Sequence, residues 1–330
     1  MNTRDLDRAF AGTLMPFRRD ITDEELMKIQ GSIALAFAVE LPRELLRKIA
    51  HFCCHVEKQI DGRASGSLED LVVRYLVVLL STLAAEPGDN AVTNVEIGAL
   101  YGATTILACH ALRLAGENNK TAVIDPFEGY YGNDIDPVTG LTVTEDRFWS
   151  NLAKFKYGNG DAVVLKGLST EKNIINSASG FSIRTLIIDG DHTYDGIKQD
   201  WINYSPLVRT GGHVLIDDYN SRFWPDVTRF VNNEVLAFLA FKWEPVLLSG
   251  NTIVLRRLPE IPGGGDLDDR LVHEIRGLEN KFADALKELE AVRDQLDTIH
   301  NSGSWRLTAP FRDIRTRMTR LLNRVAGPHS

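Results

Sequence analysis

Cysteine is scarce in this chain, with three in 330 residues: Cys53, Cys54 and Cys109. Two are adjacent and the third lies inside a predicted helix, so neither a disulfide framework nor a CxxC metal knuckle can be written. A reducing, cytoplasmic compartment suits such a chain. Long apolar runs are missing too. The longest, 71–85, is interrupted by Arg74 and falls short of the ~18–20 residues that span a bilayer. It reads as a buried helix. Arg4, Asp5, Asp7 and Arg8 stand where a signal peptide needs its apolar core, so secretion is not expected. Basic excess is also absent: 45 acidic against 37 basic residues leave a net charge of −8, which excludes a general nucleic-acid binder on electrostatic grounds.

What is present is a globular composition, 44% hydrophobic and 25% charged, long enough for one large or two ordinary domains. Apolar residues recur at helical spacing over 23–58, and a further helix over 67–85 opens on Ser67 as its N-cap and closes before Pro87-Gly88. Residues 1–90 therefore form an N-terminal helical region. Short apolar runs follow at 92–97, 121–124, 162–165, 185–188 and 213–216, each trailed by a helical stretch. That alternation predicts an α/β, doubly wound, Rossmann-like parallel sheet. Two more runs, 242–248 and 252–257, are separated only by Ser249-Gly250-Asn251, which predicts an antiparallel hairpin closing a domain over 91–258.

Residues 259–265, Pro-Glu-Ile-Pro-Gly-Gly-Gly, read as a linker. In 266–300, apolar residues fall at Leu271, Ile275, Leu278, Phe282, Ala285, Leu289, Val292, Leu296 and Ile299, in alternating steps of four and three. This is a coiled-coil seam and predicts a homo-oligomer through 271–299; the alternative is one amphipathic helix folded back on the core. The tail, 301–330, carries Trp305, Leu307, Phe311, Ile314, Met318, Leu321 and Val325 on one helical face, interspersed with six arginines. Such a basic amphipathic segment, 305–325, suits an anionic membrane surface or a partner protein, unless it is a solvated helix of the oligomer.

The candidate chemistry lies at strand ends. The first strand runs into Glu96-Ile97-Gly98-Ala99-Leu100-Tyr101-Gly102-Ala103-Thr104, a strand, glycine turn and helix opening that lets a ligand lie against a helix N-terminus. It is not the GxGxxG of a dinucleotide site. Asp125 ends the second strand, where an acid accepts hydrogen bonds from both ribose hydroxyls, so Glu96 and Asp125 together specify an adenosyl ligand. Glu96, Gly98, Tyr101, Thr104, Asp125 and, beyond the third strand, Ser169 are the expected cofactor residues. Asp189 follows the fourth strand and Asp217-Asp218 the fifth. If those strands are neighbours the three carboxylates converge, and an oxygen cluster suits Mg²⁺ or another hard divalent cation. Asn at Asp217 or Asp218 is expected to spare the fold, because both lie beyond the strand. His192, three residues after Asp189, is a general-base candidate, although an isolated histidine is more often structural. Tyr130, Tyr131 and 132–146 form a candidate substrate lid.

Val95-Glu96-Ile97-Gly98, Asp125, Ile188-Asp189-Gly190-Asp191-His192 and Asp217-Asp218 resemble class I S-adenosylmethionine-dependent methyltransferases, specifically the metal-dependent sugar O-methyltransferases akin to the macrocin and mycinamicin enzymes. The resemblance covers about residues 90–258. It implies S-adenosylmethionine as cofactor, Mg²⁺ on Asp189, Asp217 and Asp218, and proton removal from a sugar hydroxyl by His192. Ser302-Gly303-Ser304-Trp305-Arg306-Leu307-Thr308-Ala309-Pro310-Phe311-Arg312 resembles a segment that follows coiled coils in bacterial surface-polysaccharide enzymes. That implies a glycan or lipid-linked sugar substrate, an assembly partner, and a place at the inner face of the membrane. A small glycosylated natural product as acceptor, a nicotinamide dehydrogenase and a non-catalytic oligomerising scaffold are the rival readings.

Overall fold

The computed structural model describes residues 21–84, 93–129, 133–240 and 242–259. The coiled-coil seam, the basic tail, and Tyr130 and Tyr131 lie outside the described residues. Helix α1, Asp23–Phe37, starts in a capping box in which Thr22 and Glu25 each take the other's backbone N–H. The sequence pattern predicts continuous helical spacing to 58, but the chain breaks after α1. Ala38 turns left-handed (φ 53°), and Pro42 sits at the N-cap of α2, Arg43–Gln59, where its missing N–H costs nothing. Ser67 caps α3, Leu68–Leu83, in a second capping box with Asp70. Apolar on nearly every side, α3 is buried along almost its whole length, as a helix inside a core must be.

Strands β1 (Asn94–Ile97), β2 (Thr121–Asp125), β3 (Ala162–Lys166), β4 (Ile183–Ile188), β5 (Val208–Ile216), β6 (Trp243–Ser249) and β7 (Thr252–Arg257) form one sheet in the order β3-β2-β1-β4-β5-β7-β6. All pairs are parallel except those made by β7, which runs antiparallel to both β5 and β6. This is the doubly wound sheet with a terminal hairpin that the apolar runs predict. Alternate residues of the central strands feed two cores. Val123, Ile187, Leu215 and Val254 join the N-terminal helices together with α4 (Ala103–Leu114) and α5 (Glu145–Lys154) on one face. Ile124, Leu186, Ile188 and Ile216 join α6 (Lys172–Ala178), α7 (Tyr194–Tyr204) and α8 (Pro225–Phe230) on the other.

The strand order reverses between β1 and β4, so their carboxyl ends open the crevice where such sheets bind ligands. Register then fixes the site. Ile188 pairs with Ile216, and the next residue on each strand is an aspartate, Asp189 and Asp217.

Candidate active site

A cavity of about 520 Å³ lies at those strand ends, within the ordinary range for a small-molecule site. Its lining includes Glu96, Gly98, Thr104, Asp125, Ser169, Asp189, His192 and Asp218. Gly98 (φ +83°) brings the β1 turn against β4; a Cβ there would run into the Asp189 carbonyl oxygen. Glu96 is buried and accepts a hydrogen bond from the Thr105 hydroxyl at 2.5 Å. Burial pushes its carboxyl up to about 8, even though that hydrogen bond favours the charged form.

Asp125 is braced by backbone. Its Oδ2 accepts from the N–H groups of Ala99 (2.7 Å) and Leu100 (3.3 Å), and its Oδ1 from that of Phe127 (2.7 Å). The same carboxylate therefore shapes the glycine turn and faces the cavity. With about four lone-pair sites on a carboxylate, one remains for a ligand hydroxyl.

Tyr101 is not where the sequence reading puts it. Fully buried, its ring packs against Gly62, and its hydroxyl bonds Thr139 Oγ1 (2.9 Å) and the Leu141 carbonyl (3.0 Å). It pins the segment after β2 rather than a cofactor. Asp136, wholly buried, completes that knot by accepting from Arg63 Nε (3.0 Å) and the Thr139 hydroxyl (2.9 Å). The lid candidate is thus tied down over 136–141, while Val143 lines the cavity.

At the β4 and β5 ends, four predicted residues meet. One ligand atom each from Asp189, His192 and Asp217 lie within 4.8 Å of one another. His192 Nε2 stands 3.5 Å from Asp189 Oδ1 and 3.3 Å from Asp218 Oδ2. Its ring stacks on Trp224, with centroids 4.9 Å apart and planes inclined at 23°. Burial would lower the imidazole pKa, but Asp189 and then Asp218 raise it above its ordinary value. Asp217 faces a neighbouring cavity with Asp70 and Asp218.

Two arginines complete the site, and the strand motifs give no hint of either. Arg74, from α3, is 1% exposed and reaches Asp189 Oδ2 (3.1 Å), Asp217 Oδ2 (2.6 Å) and Thr104 Oγ1 (3.2 Å). Burial, the largest single influence, pushes the Asp189 carboxyl up, but the Arg74 guanidinium and then His192 together hold it below the usual range. The signal of Arg74 in the sequence is that it is the one charge in the run 71–85. Arg63, in the loop before α3, is the only arginine or lysine among the described residues lining the larger cavity, and Ser65 lies beside it there.

The donor set fits a hard divalent cation. Arg74 pairs with two carboxylates, Asp189 and Asp217, whose ligand atoms converge with that of His192, and Asp218 Oδ2 adds a third carboxylate 3.3 Å from His192 Nε2, so the carboxylates outnumber the guanidinium. Asp189, Asp217 and Asp218 are the oxygen donors that would hold the cation.

Residues 95–219 match a family model described as a methyltransferase domain. An uncharacterized protein of Acanthamoeba polyphaga mimivirus, R132, is 29% identical over 170 residues, which is 51% of this chain and 70% of that one. Among solved structures, the O-methyltransferase NovP aligns at 18% identity over 72% of this chain and 98% of its own, with a TM-score of 0.48. CalS11, a TDP-rhamnose 3'-O-methyltransferase of calicheamicin biosynthesis, aligns at 17% identity over 72% of this chain and 96% of its own, with a TM-score of 0.43. MycE, a methyltransferase of the mycinamycin pathway solved with Mg and SAH, aligns at 14% identity over 53% and 47%, with a TM-score of 0.34.

Proposed function

We propose that this chain, whose residues 95–219 match a methyltransferase-domain model, transfers a methyl group from S-adenosylmethionine to a sugar hydroxyl, assisted by Mg²⁺ or a similar cation. One observation carries the reading: Asp189, His192 and Asp218 open onto the same cavity as Gly98, Glu96 and Asp125. A base and a carboxylate cluster therefore stand within one crevice that also has the acids and glycine turn of an adenosyl site. A hydride-transfer site needs no such cluster, and the β1 turn lacks GxGxxG.

S-adenosylmethionine supplies a methyl carbon already activated by the sulfonium charge. A divalent cation, when bound, makes a sugar hydroxyl acidic enough to react near neutral pH. The chain's own residues do the rest. Asp125 offers its remaining acceptor site to the ribose. Arg63 and Ser65 line the cavity and would hold the cofactor's amino-acid end, whose carboxylate calls for a cation. His192 Nε2 takes the hydroxyl proton while the oxygen bonds to the methyl carbon and the carbon–sulfur bond breaks. Asp189 and Asp218 orient the ring and stabilise its charge, and Trp224 holds its plane. Alignment of oxygen, carbon and sulfur is the main catalytic requirement.

The acceptor is proposed to be a bacterial surface glycan or lipid-linked sugar, on the strength of the 302–312 segment. Labelled methyl transferred from S-adenosylmethionine to extracted surface glycans tests this; label only on small glycosylated compounds would favour the natural-product acceptor. Among the described residues no helix is long and apolar enough to cross a membrane. Peripheral attachment, at the inner face, is assigned to 305–325, presented in several copies by a coiled coil over 271–299. Truncation after Gly265 should give a smaller assembly that still methylates a soluble acceptor but no longer co-sediments with anionic vesicles. Light scattering reads the mass, and equal subunit numbers for full-length and truncated protein would contradict the coiled coil.

A further inference from the structure

We propose that Arg74 is a resident cation of the carboxylate cluster that competes with the divalent cation for Asp189 and Asp217. This rests on the reading that the cluster holds such a cation. The guanidinium comes from α3 of the N-terminal helices, not from the methyltransferase sheet, and its side chain is 1% exposed. Nη1 and Nη2 take the Oδ2 atoms of Asp189 and Asp217, at 3.1 and 2.6 Å. The other oxygens point elsewhere: Asp189 Oδ1 toward His192 Nε2 (3.5 Å), and Asp217 Oδ1 toward the Thr252 hydroxyl (3.3 Å).

Two consequences follow from charge and geometry. First, a divalent cation on this cluster shares its carboxylates with a fixed positive charge only one carboxylate away, which weakens its hold. A guanidinium stays charged at any working pH, so this opposition cannot be titrated away. Second, the positions of Asp189 and Asp217 depend on α3. Asp70, one turn before Arg74, accepts from the Asn251 N–H (3.0 Å) and the Thr252 hydroxyl (3.2 Å) in the β6–β7 turn. Helix, hairpin and both strand-end aspartates are thereby locked together. Arg74 does not line the larger cavity and acts through the aspartates, so it is a positioning residue rather than a catalytic one.

The test uses the full-length protein and Mn²⁺ as probe, with binding followed by electron paramagnetic resonance and melting by circular dichroism. Arg74→Met should bind Mn²⁺ about 10-fold or more tighter than wild type, because a like charge is removed and two oxygens are freed. Without Mn²⁺ it should melt below wild type, and Mn²⁺ should raise its melting temperature by more than that of wild type. Arg74→Lys, which keeps the charge, should bind Mn²⁺ as wild type does. A merely structural arginine would lower the melting temperature but would not tighten Mn²⁺ binding. Should Arg74→Met fail to fold, Arg74→Gln, neutral but still able to donate to a carboxylate, carries the same expectations. Wild type binding Mn²⁺ as tightly as the neutral variants would overturn the competition alone. No Mn²⁺ binding by wild type or any neutral variant would overturn the cation site as well, and binding by the neutral variants alone would support the proposal in its extreme form.

Discussion

His192→Ala should lower the turnover rate by ~10²–10⁴-fold, the usual contribution of a positioned general base. Three features of the site set this expectation. His192 lines the cavity in which Asp125 and Gly98 also stand, two carboxylates lie within 3.5 Å of its Nε2, and Trp224 stacks on its ring. In the wild type the rate should rise with pH as the imidazole loses its proton, since only the neutral ring accepts one. Alanine removes that limb of the profile. Cofactor affinity should be unchanged, because the cofactor contacts are assigned to Asp125, the glycine turn and the Arg63–Ser65 loop. Steady-state rates from pH 6 to 9 check both points, and a variant that keeps the wild-type rate and profile would leave His192 a structural residue.

Asp218→Asn should abolish cation-dependent turnover while the fold and cofactor binding survive, and excess EDTA on the wild type should mimic it. Asp218 is the better of the two strand-end positions for this experiment. It is partly exposed and has a left-handed φ of 57°, a conformation that Asn tolerates well. Asp217 differs from the expectation that either position can be changed without cost to the fold. It is 4% exposed and paired with buried Arg74, and breaking such a pair costs about 3–5 kcal/mol. Asp217→Asn should therefore lower the melting temperature as well as the rate. Full activity of the wild type in excess EDTA would remove the cation from the mechanism and leave His192 to act alone.

The layout of the sheet was readable because each strand is an apolar run bounded by turn residues, and because Ser249-Gly250-Asn251 is too short to join anything but a hairpin. Capping at Ser67 was readable from a local pattern for the same reason. The break after α1 was missed because apolar spacing continues across it; Pro42 was the residue that should have divided the run. Site residues were legible where the fold itself presents them, at the ends of β1, β2, β4 and β5. Arg63 was not, and Arg74 stood out only as the one charge in an apolar run, since nothing local names partners 73 and 115 positions away. Tyr101 was misplaced for a related reason: it follows the glycine turn in sequence, but its side chain leaves the crevice and packs against Gly62.

The proposed activity requires that the crevice between β1 and β4 hold an adenosyl sulfonium cofactor through Asp125 and the glycine turn. Calorimetric titration of S-adenosylmethionine into wild type and Asp125→Ala tests it, with NAD as the competing ligand. Wild type should bind S-adenosylmethionine and not NAD. The alanine variant should lose about 1.5–3 kcal/mol of binding, as a charged acceptor to ribose hydroxyls disappears and the Ala99 and Leu100 amides lose their brace. Binding of NAD in place of S-adenosylmethionine, or unaltered affinity in Asp125→Ala, would contradict it.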